Sequence, residues 1–236
     1  MNQILVSKRI IVTKEMKKKK RTYKLIYTLS ILTIAILIIY YVFAENGRNL
    51  RENIGKEILN SVGDTSTVAD QAIVIALDDN NENEIVPLES TADDQAVTST
   101  VTASDGSNYN TEAIVSYPKL GISYPVLADE SDALLKVSVC KYWGPKPNEV
   151  GNYCIVGHNY KSGKMFGKLS MAQNGDQVIL KDLSGKSVTY GVYNIYKVDP
   201  TDVTCTSQLT NGKKEVTLIT CTNFGKERLV IKAREI

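Results

Sequence analysis

Leu25 to Phe43 reads LIYTLSILTIAILIIYYVF, nineteen residues without a charge, a proline or a glycine. At 1.5 Å per residue such a run forms a helix of roughly 28 Å, close to the hydrocarbon thickness of a bilayer. It is apolar on every face, which a core helix of a globular domain rarely is. It also exceeds the apolar stretch of about 7–15 residues in a cleaved secretory signal, and Ala44 is the one small residue hinting at a cleavage site. Residues 25–43 are therefore expected to be an uncleaved membrane anchor. The next apolar positions, Leu50, Ile54, Ile58 and Val62, fall four apart and predict a short helix over 46–62. Residues 78–111 are dominated by Asp, Glu, Asn, Ser and Thr, with too few large apolar side chains to offset their ordering entropy. The whole of 44–111 thus reads as a largely flexible, acidic stalk. Residues 72–77 (AIVIAL) are an apolar exception that fits a strand or a helical turn equally well.

From Glu112 onward short β-prone runs recur between turn signals: 113–116, 152–156, 177–181, 187–198, 215–220 and 228–233. Asp182-Leu183-Ser184-Gly185-Lys186 between two of them reads as a hairpin turn. The 187–198 run is long enough to bend, with Gly191 as the candidate position. Along 215–220 the residues read as alternating outward and inward. Helical signal is limited to short pieces near 130–137 and 165–172. Residues 112–236 are thus expected to form one all-β domain, a barrel or a sandwich.

Charge adds an orientation. Residues 1–24 hold nine Lys/Arg and one Glu, with Lys17-Lys18-Lys19-Lys20-Arg21 and Lys24 just before the apolar run. Positive residues stay cytoplasmic, so 1–24 is expected to be a cytoplasmic tail and 44–236 to lie outside the cell membrane. Residues 44–110 carry three Lys/Arg against thirteen Asp/Glu, and 111–236 sixteen against twelve. The one basic block abuts the apolar run and has no accompanying aromatic or glycine pattern, which argues against nucleic acid as a partner.

The chain has a single histidine, His158, just after the run Gly151–Gly157 and so at a strand end. Of four cysteines, Cys140, Cys154 and Cys205 are irregularly spaced and fit small core hydrophobes, although an extracellular setting also allows a Cys140–Cys154 bridge. With no CxxC and no paired histidine, neither a metal nor a cofactor is expected. Cys221 differs in its setting. It ends the run Glu215–Thr220, and Thr222–Glu227 turns the chain into a strand that begins at Arg228. Antiparallel pairing across that loop places Cys221 beside Arg228, where a fixed positive charge favours the thiolate and can stabilise an oxyanion. Arg234, the domain's other arginine, falls well away from Cys221.

Thr217-Leu218-Ile219-Thr220-Cys221 with Arg228 seven residues on resembles the TLxTC…R signature of the sortases. Gly157-His158, about sixty residues upstream, is similar to their histidine motif. The stretch Tyr117–Leu127 resembles the opening of the sortase domain, and Val198–Val203 the segment leading into the loop before the penultimate strand. The likeness covers 112–236. It implies a closed eight-stranded β-barrel with short helices, preceded here by the transmembrane helix. It further implies a cysteine transpeptidase of Gram-positive type that cuts an LPxTG-like sorting signal between Thr and Gly. The acyl group would pass through a thioester to an amine of the cell wall or its precursor, anchoring surface proteins. In that scheme Cys221 is the nucleophile, His158 the proton donor to the departing amine, Arg228 the oxyanion and substrate holder, and Thr220 a substrate-backbone contact.

Three rivals fit less well. L,D-transpeptidases place glycine just before the cysteine and arginine two residues after it, whereas Thr220 and Asn223 stand there. Papain-like peptidases put cysteine before histidine, the reverse of the order here. A non-catalytic surface adhesin or receptor shares the anchor, stalk and β-domain, and the His158–Cys221–Arg228 set is what separates it.

Overall fold

The computed structural model describes residues 14–65 and 98–236. The chain divides into two units, residues 1–50 and 51–236. One helix, α1 (Lys14–Thr65), carries the apolar run and is long and apolar enough to cross a membrane. Through the run its large side chains are exposed, as expected of a surface that has no protein to cover it. The 46–62 stripe expected as a separate short helix is part of this same helix. The start of the expected flexible stalk, 44–65, is thus helical, whereas residues 66–97, which include 72–77, lie outside the described residues.

Among the described residues the second unit has nine strands: β1 (Ser99–Thr102), β2 (Asn108–Tyr117), β3 (Ile122–Leu127), β4 (Val139–Trp143), β5 (Gly151–Gly157), β6 (Gln177–Asp182), β7 (Ser187–Val198), β8 (Lys214–Thr222) and β9 (Glu227–Glu235). Their order is β1-β2-β3-β4-β5-β8-β9-β7-β6, and β6 pairs again with β2. That last pairing closes β2–β9 into an eight-stranded barrel and leaves β1 as an added strand on β2. Closure leaves the barrel strands with partners on both sides, removing the exposed edges of an open sheet. Most neighbours are antiparallel, but β3–β4 and β5–β8 are parallel. Tyr117, Tyr153, Phe166, Leu180, Leu218 and Ile231 fill the interior.

Several local expectations change. The sheet begins at Ser99 rather than at Glu112: β1 and the start of β2 pair as a hairpin, with Thr100 and Thr102 donating to the side-chain oxygens of Asn110 and Asn108 at 2.8 Å each. Polar side chains satisfy one another there, so a run that looks soluble and loose is ordered. In the 130–137 and 165–172 segments the helical signal is realised as single 3-10 turns, Leu134–Lys136 and Leu169–Met171. Gly191 marks where β7 passes from its β6 partner to its β9 partner, while the bulge falls between Val192 and Asn194. Glu215–Thr220 does not alternate between core and solvent, because all six residues are buried. Val216 and Leu218 point into the barrel. On the other face Glu215 pairs with Arg234, Thr217 donates to Asn152, and Ile219 packs with Cys154, Cys205 and Val230.

The stripe on α1 has a use within this unit. Ile54, Ile58 and Val62 are buried against Ala103, Tyr109, Leu127, Val137 and Cys140 on the outside of the barrel, while Leu50 stays exposed. Gly55 permits the approach: a Cβ at that position would lie 2.7 Å from the Val137 carbonyl oxygen.

Candidate active site

The parallel β5–β8 pair and the antiparallel β8–β9 pair bring distant residues to one end of the barrel. Gly157 stands opposite Thr220 on the first ladder, and Cys221 opposite Arg228 on the second. The hydroxyl of Thr220 donates to Gly157 O at 2.7 Å, and Asn159 Nδ2 donates to Cys221 O at 2.8 Å. His158 therefore lies between two residues that are each tied to the strand of the cysteine. Gly157 is required by packing, since a Cβ there would sit 2.8 Å from Val139 and 2.9 Å from Phe166. A glycine before the histidine lets β5 run close to the core as it delivers the imidazole.

His158, Cys221 and Arg228 line one cavity of about 340 Å³ at this end. Its walls come from the loop before β4 (Glu130, Asp132, Leu135), from Tyr142, and from the loop after β7 (Pro200 to Thr206). Thr220 also borders it, with its hydroxyl proton already committed to Gly157. Arg228 Nη1 donates to Gly225 O at 3.0 Å and Glu227 O at 3.3 Å, which fixes the guanidinium over its own loop. A guanidinium has five N–H donors, so others stay available. That loop is conformationally costly: Asn223 and Phe224 both have positive φ, at 49° and 54°. Left-handed backbone at non-glycine residues costs about 1–2 kcal/mol each, a cost that buys a turn tight enough to keep Cys221 and Arg228 in register. Arg234 lies far along the same ladder, opposite Glu215, with its guanidinium 4.5 Å from the Tyr193 ring centroid.

The thiols separate by environment. All four cysteines are free. Cys140 faces Val156 and Cys154 faces Trp143 across β4–β5, so the two are staggered rather than opposed. Burial pushes the Cys140 and Cys154 thiols up to about 12 and raises Cys205 as well, which makes them poor nucleophiles. Cys221 is half-buried and borders the cavity.

Burial lowers the pKa of His158, with Lys136 acting the same way and the Asp132 carboxylate opposing. Because it is the only histidine, its ring proton gives one isolated NMR titration. In a Cys221→Ala chain that titration is expected to have its midpoint below the ordinary value of 6.5; a midpoint at or above it contradicts this account. The sign for stability follows by linkage. The unfolded chain binds this proton more readily, so the contribution is present above about pH 6.5 and lost on acidification through the folded value.

Nucleophile, imidazole and guanidinium around one cavity can support thiol attack on a carbonyl, proton transfer and oxyanion stabilisation. Motif order pointed to these three residues. It did not point to Asn159 or to the wall before β4; of the wall after β7 it noted only Val198–Val203, as a family-like segment and not as part of the site.

Residues 115–236 match the protein family described as Sortase domain. Solved structures of similar proteins include the sortase D5 transpeptidase of Clostridium perfringens, 26% identical over 53% of this chain and 79% of that one, with a TM-score of 0.49. Sortase C-1 of Actinomyces oris is 23% identical over 52% and 73%, with a TM-score of 0.48. A lid mutant of sortase A from Corynebacterium diphtheriae is 21% identical over 56% and 74%, with a TM-score of 0.50. A search of curated protein sequences finds no match to this chain. The family match spans just over half of the 236 residues, and with the closed barrel it defines a cysteine transpeptidase fold. The chain belongs to the sortase family.

Proposed function

We propose that this protein is a membrane-anchored sortase that cleaves an LPxTG-like sorting signal between Thr and Gly and transfers the surface protein to a cell-wall amine. The reading is carried by one observation: His158, Cys221 and Arg228 border a single cavity. The Cys221 proton passes to His158, and the thiolate attacks the threonine carbonyl. The carbon–oxygen π electrons move onto oxygen, and Arg228 stabilises that charge by hydrogen bonding. As the C–N bond breaks, imidazolium donates its proton to the departing glycine amine, leaving a Cys221 thioester. An incoming wall amine then attacks the thioester carbonyl, giving a proton to His158, and the thiolate leaves. Thr220 holds the histidine strand against the cysteine strand and borders the bound acyl group. Residues 1–24 are assigned to the cytoplasm, 25–43 to the membrane and the barrel to the outside, on the strength of the basic block beside the apolar run.

The test is a panel of LPxTG-like peptides with hydroxylamine as acceptor. Thr–Gly cleavage and a mass-mapped acyl adduct on Cys221 are expected. If the unmodified chain and its Cys221→Ala form are equally inert on every peptide, with no adduct, the protein is a binding module and not a transpeptidase.

A further inference from the structure

The loop that follows β7 supplies Pro200, Asp202, Val203, Cys205 and Thr206 to the cavity wall. Its internal hydrogen bonds are short-range turns, such as Asp199 accepting from Thr201 at 2.7 Å and Asp202 accepting from the Thr204 N–H at 2.8 Å. Such turns shape the loop but do not attach it to the barrel.

Cys205 packs against Cys154, Ile219 and Val230 on the barrel, and the polar attachment runs through one buried side chain. Asn152 on β5 is fully buried, and its Nδ2 donates to Cys205 O at 3.0 Å and to Ser207 O at 3.2 Å. Its Oδ1 accepts from Thr217 Oγ1 on β8 at 2.6 Å. Gln208 answers from the loop: its Oε1 accepts from the Asn152 N–H at 2.9 Å, and its Nε2 donates to Asn152 O at 3.0 Å and Thr206 O at 2.9 Å. The primary amide of Gln208 thus pairs with the Asn152 backbone as a neighbouring strand would. Gly151 makes room for it, because a Cβ there would lie 2.9 Å from Gln208 Oε1. Both backbone groups and both side-chain polar atoms of Asn152 are engaged in this latch, leaving none of them unsatisfied. β5 also delivers His158, and β8, reached through Thr217, delivers Cys221. One residue therefore references this wall of the cavity to both strands that carry the reacting groups.

We infer that Asn152 and Gln208 are positioning residues that latch the 199–210 loop as a fixed wall of the substrate cavity and so set how tightly the sorting peptide is held. The inference rests on the acyl-transfer reading of that cavity. Neither residue touches reacting atoms, so the latch governs binding and leaves the chemical step alone.

The full-length chain in detergent micelles tests this with two near-isosteric changes. Gln208→Glu sets a carboxylate oxygen against Asn152 O and Thr206 O; Gln208 is on the surface, so the barrel keeps its fold. Asn152→Asp does the same against Cys205 O and Ser207 O while keeping the Thr217 bond. Each is expected to raise KM for the cleaved peptide about tenfold with kcat nearly unchanged, the pattern of lost uniform binding. Hydrogen exchange across 199–210 is expected to accelerate in both, with β5 and β8 still protected. Leu209→Ala, an exposed neighbour on the same loop, is expected to change neither quantity. Unchanged loop exchange in both variants overturns the latch, and so does a kcat that falls while KM holds. The exchange measurement needs no turnover, so an absent Cys221 adduct in the unmodified chain counts against the acyl-transfer reading alone.

Discussion

Replacing His158 with alanine is expected to lower peptide turnover by about 10²–10⁴, the usual worth of a positioned acid–base group. The amine expelled from an amide is a poor leaving group, and this chain has no other histidine to protonate it. The carboxylates bordering the cavity, Glu130, Asp132 and Asp202, include two that meet their surroundings from exposed loops and belong to the wall rather than to the strand ends. None has the backbone tie that Gly157 and Asn159 give to His158. His158 lies past the end of β5 rather than in the core cluster, so at neutral pH the variant is expected to fold with a nearly unchanged unfolding midpoint. Single-turnover kinetics should show the loss in acylation, since the proton is needed as the C–N bond breaks. Equal acylation rates in the unmodified chain and the His158→Ala form would remove histidine from the mechanism.

The second large effect concerns stability. Ile58→Ala is expected to destabilise the second unit by about 2–5 kcal/mol, the range for removing a buried branched side chain. Ile58, on the α1 stripe, is completely buried against the barrel wall, whereas Leu50→Ala, four residues before Ile54 on the same helix, removes an exposed side chain and should stay within about 0.5 kcal/mol. Urea unfolding in micelles, followed through the single tryptophan, Trp143 on β4, distinguishes the two. The same packing reaches the site. Leu134 and Leu135 rest against the Ile54–Ile58–Val62 cluster, and Leu135 also lines the cavity. Glu52 on α1 also forms an ion pair with Lys164, in the loop after β5. A matching unfolding midpoint for Ile58→Ala and the unmodified chain would show that α1 merely lies against the barrel.

How far the sequence reveals all this depends on whether the deciding interaction is local. The β6–β7 hairpin was legible because its turn carries its own chemistry: Asp182 Oδ1 accepts from the Ser184 and Lys186 N–H groups at 3.0 Å, and Gly185 supplies a φ of 88°. β8 and β9 were legible from their apolar runs and the tight turn between Cys221 and Arg228. β3 and β4 were not. Pro125 lies inside β3, where a proline argues against a strand, and it is tolerated because β3 meets β4 only from Val126 onward. β4 is short and half exposed. The ordering of 99–111 was hidden for a different reason: a polar hairpin gains its apolar cover from Ile54, Ile58 and Val62, some fifty residues away, and no local pattern reports that docking. At the site, residue type and order sufficed to single out His158, Cys221 and Arg228. Of the wall they share only Val198–Val203 stood out, and its tie to the barrel through Asn152 is a long-range contact with no local pattern.

The two ladders that meet at Cys221 carry a consequence for when the enzyme becomes reactive. Asn159 and Cys221 are 62 positions apart, yet one hydrogen bond joins them. Pairing of such separated segments is slow, because loop closure must precede any gain from the contact. Until β5 has annealed to β8, a newly synthesised chain carries an ordinary thiol with no imidazole at hand. Under the proposed mechanism, reactivity of the thiol therefore waits on that long-range pairing, and an unfinished chain lacks the means to cleave a peptide.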